Sequence, residues 1–331
     1  MQRFKSISTR SRRVFCVAMA TLVTIGAMAA CSLPAAADGL VVANACSDLE
    51  DRKAAGTEAA EAAKAALGDH EAKLVLVFDD PGRELAQRKK MLRGVASVFD
   101  RSIIYGCASY APLTQDSNMS KVGVLAIAGD ISVAPAMADL ADGHEACGTQ
   151  IGEALKTADL PESTGRLLLL FGKCHVPLND KLVQGVAGVL GEDLPIVGGA
   201  TYHGEEYLYY QGKVYQDGNI GLLLSGDFKC SFSMKGDESS KEAAIAAAAD
   251  TCAEALGENK DNAVMAFAFD CGGRRAFLAD SVPDELAAMT KALDGVPMFG
   301  FYGAGEIGSK KNGLPACGAG HHVAVCVLLE D

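Results

Sequence analysis

Tryptophan is absent from the 331 residues, and aromatic residues together make up only 6% of them. A core of small aliphatic side chains is therefore expected. Alanine, 36 glycines and aliphatic residues must fill the interior, which suits closely packed α/β layers. No C-x-x-C pair occurs, which argues against a zinc site, and the lack of C-x-x-C-H excludes an attached c-type haem. The first 37 residues contain no acid. At 49% hydrophobic and 22% charged, the chain is globular and long enough for one large domain or two ordinary ones.

The acid-free start has a sequence logic of its own. Arg3, Lys5, Arg10, Arg12 and Arg13 precede an uncharged run from Val14 to Ala30, and Ala35-Ala36-Ala37 offers a small-residue cleavage site. Residues 1–37 read as a secretory signal peptide, with a membrane anchor as the competing reading. Ser11 to Phe15 also resembles a twin-arginine signal, so export by either the Sec or the twin-arginine route is expected, to a periplasmic or extracellular destination. Cys31 after Met28-Ala29-Ala30 offers an alternative lipoprotein cleavage and a lipid anchor, and Ala43-Asn44-Ala45 is a second small-x-small site. Removing the leader takes five basic residues and no acid, leaving a charge of about −17. Such a surface repels phosphate backbones, so nucleic acid is not an expected partner. Nine cysteines remain after Ala37, mostly in apolar runs, where buried reduced thiols are the simpler reading. In an oxidising compartment some could pair.

Beyond the leader one order repeats: helix, apolar strand, proline-started helix, strand into a glycine loop, closing strand. In the first unit these are a helix within 48–72 with Thr57 as N-cap, the strand Lys73–Phe78, a helix opened by Asp80-Pro81, and a strand at Ile103-Ile104. The strand Lys121–Ala128 closes it. The second runs from a helix at Ala146–Lys156 to a strand at Ile220–Leu224, with a hairpin at Gln211-Gly212. The third runs from Lys241–Leu256 to Val323–Leu329, with Asp227–Ser240 as the boundary between the second and third units. The marker glycines are Gly106, Gly198 and Gly300, spaced 92 and 102 residues apart. This predicts α/β architecture, with layered mixed sheets flanked by helices and built from three related units. The glycine turns are expected to gather around one cavity and offer backbone N–H groups to a ligand.

Four stretches carry a family resemblance. FDCGGRRAFL at 269–278 and GFYGAGEIG at 300–308, with His321 downstream, resemble motifs of the FIST C part of the FIST sensory family. IIYGCASYA at 103–111 and IVGGATYHGEE at 196–206 resemble loops of FIST N. The likeness spans roughly residues 70–329, with 38–235 as the FIST N-like region and 236–331 as a shortened FIST C-like region. It implies a small-ligand sensor, with amino acids or similar polar metabolites as ligands and haem-linked nitric oxide sensing in some members. Residues 225–262 look shorter than the family's linking region. No kinase, chemotaxis or cyclase output domain is attached, so a membrane-bound signalling partner is implied.

Among candidate ligand contacts, Glu306 could accept a ligand ammonium, and Arg274 or Arg275 could clamp a carboxylate, a pair suited to a zwitterion. The backbone at Gly106, Gly198, Gly300 and Gly305 could approach the ligand, and Ser109, Thr201 and Tyr302 could supply hydroxyls, or equally satisfy their own turns. Cys271 with His321 or His203 as base would make a cysteine-dependent hydrolase or transferase, the main enzymatic alternative, although no local motif joins them. The same histidines could ligate non-covalent haem. No metal site and no required cofactor is expected. A purely structural or partner-binding protein is the remaining reading.

Overall fold

The computed structural model describes residues 39–204 and 206–330. The leader, its cleavage sites and the Cys31 anchor lie outside the described residues.

The first unit comprises β1 (Val41–Ser47), α1 (Arg52–Leu67), β2 (Ala72–Asp79), α2 (Leu85–Val95), β3 (Ile104–Ala108), β4 (Ala111–Thr114) and β5 (Val122–Ala128). The second has β6 (Ile131–Ala138), α3 (His144–Lys156), β7 (Gly165–Gly172), α4 (Leu178–Leu190) and β8 (Ile196–Ala200). The hairpin β9 (Tyr207–Tyr210) and β10 (Lys213–Gln216) and the strand β11 (Asn219–Gly226) complete it. The third opens with β12 (Lys229–Lys235), α5 (Lys241–Leu256), β13 (Ala263–Cys271), α6 (Gly272–Leu278) and α7 (Val282–Leu293). It ends with β14 (Met298–Gly303), β15 (Glu306–Gly308), β16 (Cys317–Ala319) and β17 (Val323–Leu329).

Each unit builds four strands of its own sheet and lends the strand or hairpin after its glycine to another unit. The sheets run β1-β5-β2-β3-β9-β10, β6-β11-β7-β8-β15-β16 and β12-β17-β13-β14-β4. The second unit thus completes the first sheet, the third completes the second, and the first completes the third. Within each sheet one strand pair is parallel (β2–β3, β7–β8, β13–β14) and the rest are antiparallel. Three related units in mixed sheets flanked by helices are what the sequence predicts.

The inner faces of the three sheets share one core. Phe78, Phe171 and Phe269 occupy equivalent positions near the ends of β2, β7 and β13 and are fully or almost fully buried. Phe78 meets Phe171 edge-on at 6.0 Å and Phe301 at 4.6 Å, and Phe269 meets Phe301 at 5.0 Å. On the outer faces alanine-rich helices pack closely: Ala55, Ala59, Ala60 and Ala63 of α1 are wholly buried.

Several local expectations are corrected. The N-cap of α1 is Asp51, whose side chain accepts from the Ala54 amide at 2.8 Å, and not Thr57. Helix α2 starts at Leu85; Asp80 instead pairs with Arg52 and Arg83. Within the boundary segment 227–240, β12 is the outer strand of the third sheet. The nine described cysteines are all free thiols.

Candidate functional site

The glycine motifs are strand interiors. Gly106, Gly198 and Gly300 face Val77, Leu170 and Ala268 across their parallel pairs. A Cβ on each would stand 1.8, 1.8 and 1.6 Å from the carbonyl oxygen of that partner. Glycine is required because the neighbouring strand occupies the side-chain space. These three residues are therefore not exposed turns that present amides to a ligand, which corrects that expectation.

Convergence occurs a few residues further on. The Tyr110 amide donates to the Tyr302 carbonyl at 2.8 Å, the Tyr202 amide to Ala108 at 3.1 Å, and the Ala304 amide to Ala200 at 3.1 Å. Counted from the marker glycines, each bond joins the same two offsets in different units. The three strand ends are thus tied into a ring, on which the polar groups of the third unit are assembled.

Glu306, at the start of β15, is wholly buried. It is the antiparallel partner of Gly199, which contributes no side chain beside it. Its Oε2 accepts from the His322 amide at 3.0 Å, while Oε1 has no hydrogen-bond partner among the described residues. Burial pushes its carboxyl up to about 8; the His322 amide, the adjoining Cys271 thiol and Arg274 pull back only part of that rise. The backbone under it is fixed by Asn179 of α4, whose Nδ2 donates to the carbonyls of Glu306 (2.9 Å) and Ala319 (2.7 Å).

Cys271 ends β13 and is 6% exposed. Burial and the Glu306 charge push its thiol up to about 12, against the opposing amides of His321, Gly273 and Arg274. It lies one layer below the surface. Gly273 is exposed, and a Cβ there would stand 3.4 Å from the Cys271 sulfur and 3.0 Å from Cε1 of His321. His321 holds positive φ (61°), and its Nδ1 lies 2.7 Å from Oε1 of Glu238. Tyr110 packs over Gly272, 2.4 Å from where its Cβ would be, and meets Tyr202 edge-on at 4.7 Å. His203 has a 64% exposed side chain, and its ring lies 4.7 Å from that of His175, tilted by 34°.

Other expected contacts are spent elsewhere. Arg274 is wholly buried and fully engaged. Its Nε donates to Asp270 (3.0 Å), and its terminal nitrogens donate to Glu285 (2.6 Å) and to the carbonyls of Ala244 and Asp237. It neutralises two core carboxylates and cannot clamp a ligand. The buried Tyr302 hydroxyl donates to the same Glu285 (2.9 Å) and accepts from Asn118 (3.2 Å). Arg275 stands over the Tyr302 ring at 5.7 Å with its Nε unpartnered among the described residues, and Glu306 is instead neighboured by Cys271 and His322. Ser109 is buried and gives its hydroxyl to the Asp79 carbonyl; the buried Thr201 ties its amide to Gly172. At Gly305 the carbonyl accepts from the Ala200 amide, and Val176 would lie 2.7 Å from a Cβ. Among the candidates, the structure brings Cys271, Glu306 and His321 together.

Sequence reasoning passed over Asp270, Glu285, Tyr110 and Glu238. Only the Asp270-to-Arg274 spacing gave a signal, since four residues is the ion-pair interval at a helix start. A haem fits this arrangement poorly, because His321 is held by Glu238 beside polar groups and His203 is largely exposed. Among the described residues no group of three or more His, Cys, Asp or Glu could hold a metal ion.

Two solved structures of cyanuric acid hydrolase are similar in shape. One, described as an innovation by structural concatenation, has a TM-score of 0.45 at 13% identity, covering 87% of this chain and 98% of that one. The other, from A. caulinodans, has a TM-score of 0.44 at 12% identity, covering 87% and 99%. Likeness of this degree says nothing of what the present chain does. No protein of curated function matches. The FIST N domain matches residues 73–251 and the FIST C domain residues 216–309. With more than half its length under the first of these alone, the chain belongs to the FIST family of small-ligand sensory domains.

Proposed function

We propose that the protein senses a small polar metabolite, an amino acid or a close relative, at the Cys271–Glu306–His321 site. The observation that carries this is the wholly buried Oε1 of Glu306, without a hydrogen-bond partner among the described residues, beside the Cys271 thiol that lies under the exposed Gly273. A buried acceptor without a donor costs about 1–3 kcal/mol, and a ligand that supplies the donor recovers it. An ammonium group does so and also favours the ionised carboxylate, so binding releases the proton that burial holds on Glu306. Tyr110, Tyr202 and His203 border the same end of the molecule and offer ring faces and polar edges to the rest of the ligand. Arg274 has no part in this recognition.

Exported location and a lipid anchor at Cys31, supported by the leader composition alone, and a membrane-bound signalling partner, which a sensory role calls for, complete the proposal. The thiol of Cys271, held protonated by burial and by Glu306, favours binding over nucleophilic chemistry.

A thermal-shift screen of amino acids and small carboxylates tests the site. At least one amino acid raises the midpoint in wild type and fails to do so in Glu306→Gln. Titration calorimetry of that ligand in two buffers of different ionisation enthalpy shows proton release. Equal stabilisation of wild type and variant would remove Glu306 from the site.

A further inference from the structure

We infer that a second binding site, for a phosphate-bearing anion, lies between α2 and the β9–β10 hairpin, remote in sequence from Glu306. A cleft of about 370 Å³ opens there, a volume typical of small-molecule sites. Its rim carries Lys89 and Arg93 from α2, Arg101 from the turn before β3, and Lys213 from β10. All four are exposed. None makes an ion pair among the described residues, and no Asp or Glu lines the cleft.

Four unpaired cations from three elements converge in a chain with 42 acids against 30 bases. Like charges gathered this closely repel, and a multiply charged anion relieves the repulsion. Lys173, by contrast, is paired with both Glu206 and Asp217. Lys89 and Arg93 are four residues apart and so share one face of α2. Arg101 is held in place because its Cβ and Cγ pack 3.1 and 3.2 Å from where a Gly212 side chain would start. The floor is apolar, formed by buried Leu92 and half-buried Val214. Two guanidiniums suit bidentate recognition of phosphate oxygens, with the ammonium groups as point charges. The hairpin belongs to the second unit and α2 to the first, so an anion here also braces a contact between units.

Inorganic pyrophosphate is the probe, titrated calorimetrically into the full-length protein at low ionic strength. Saturable binding is expected in wild type. Arg93→Gln with Lys213→Gln weakens it by about tenfold or more, and Arg101→Gln alone weakens it measurably. The charge-matched control Lys53→Gln with Lys156→Gln leaves it unchanged. Vesicles of phosphatidylglycerol distinguish a lipid headgroup from a soluble phosphate. Co-sedimentation that the Arg93/Lys213 variant loses assigns the headgroup, and pyrophosphate binding without co-sedimentation assigns the soluble ligand. Neither form of binding in wild type, or equal loss in the control, overturns the inference. Circular dichroism confirms that each variant is folded, and Glu306→Gln should bind pyrophosphate as wild type does.

Discussion

The thiol of Cys271 adjoins the carboxyl of Glu306, and burial drives both toward their protonated forms, the thiol up to about 12 and the acid up to about 8. At neutral pH the pair is therefore largely uncharged, one layer below the exposed Gly273.

Stability should carry the mark of that acid. Its folded value is raised from the usual 4.5 to about 8, so the native state holds a proton that the unfolded chain releases earlier. The Glu306 contribution is intact below about pH 4.5 and is lost as pH rises toward 8. Asp79, raised by burial to about 6 despite Arg88 and Tyr209, acts in the same direction. The informative quantity is the urea midpoint of Glu306→Gln minus that of wild type. It should grow with pH across this window; a constant difference would contradict the assignment.

Cys271 should alkylate slowly with iodoacetamide at pH 7, showing no fast phase in peptide mass spectrometry. At pH 9 the Glu306→Gln variant should react faster, since the neighbouring charge that raises the thiol is gone. A thiol that reacts rapidly at neutral pH in wild type would restore the enzymatic alternative.

Arg274→Gln should destabilise the fold by about 3–5 kcal/mol, because Asp270 and Glu285 are both left buried without their counter-charge. Arg275→Gln should cost much less, as among the described residues its side chain makes no ion pair and stands 5.7 Å from the centre of the Tyr302 ring. Chemical denaturation at pH 7 separates the two.

Two glycines give opposite expectations for one substitution. Gly300→Ala places a methyl 1.6 Å from the Ala268 carbonyl and should cost about 3 kcal/mol or more. Gly188→Ala, in α4 with nothing within 4 Å, should stabilise by about 0.5–1 kcal/mol. Thermal midpoints should move in opposite directions.

The threefold plan was legible because each unit repeats an apolar central strand, and a glycine is forced wherever the next strand crosses it. The first strand of each unit was not. β1, β6 and β12 are sheet edges, half-buried with interrupted patterns, and β6 carries Pro135, which suits an edge. Strand exchange leaves no local trace, since β4 and β15 read the same whichever sheet they join. At the site, the glycines around Glu306 flagged an unusual carboxylate. The role of Arg274 was misread because its partner Glu285 comes from a separate helix, and such a partner becomes evident only when α6 and α7 pack.

The cyclic lending of strands sets an order on biosynthesis. β3 waits for the hairpin of the second unit, β8 for that of the third, and β14 for β4, already made long before. A ribosome that has delivered two thirds of the message has therefore produced a chain with an unfilled sheet margin. Premature termination after Gly226 should yield a species that seeks strands from its neighbours, whereas the finished polypeptide closes every gap with its own.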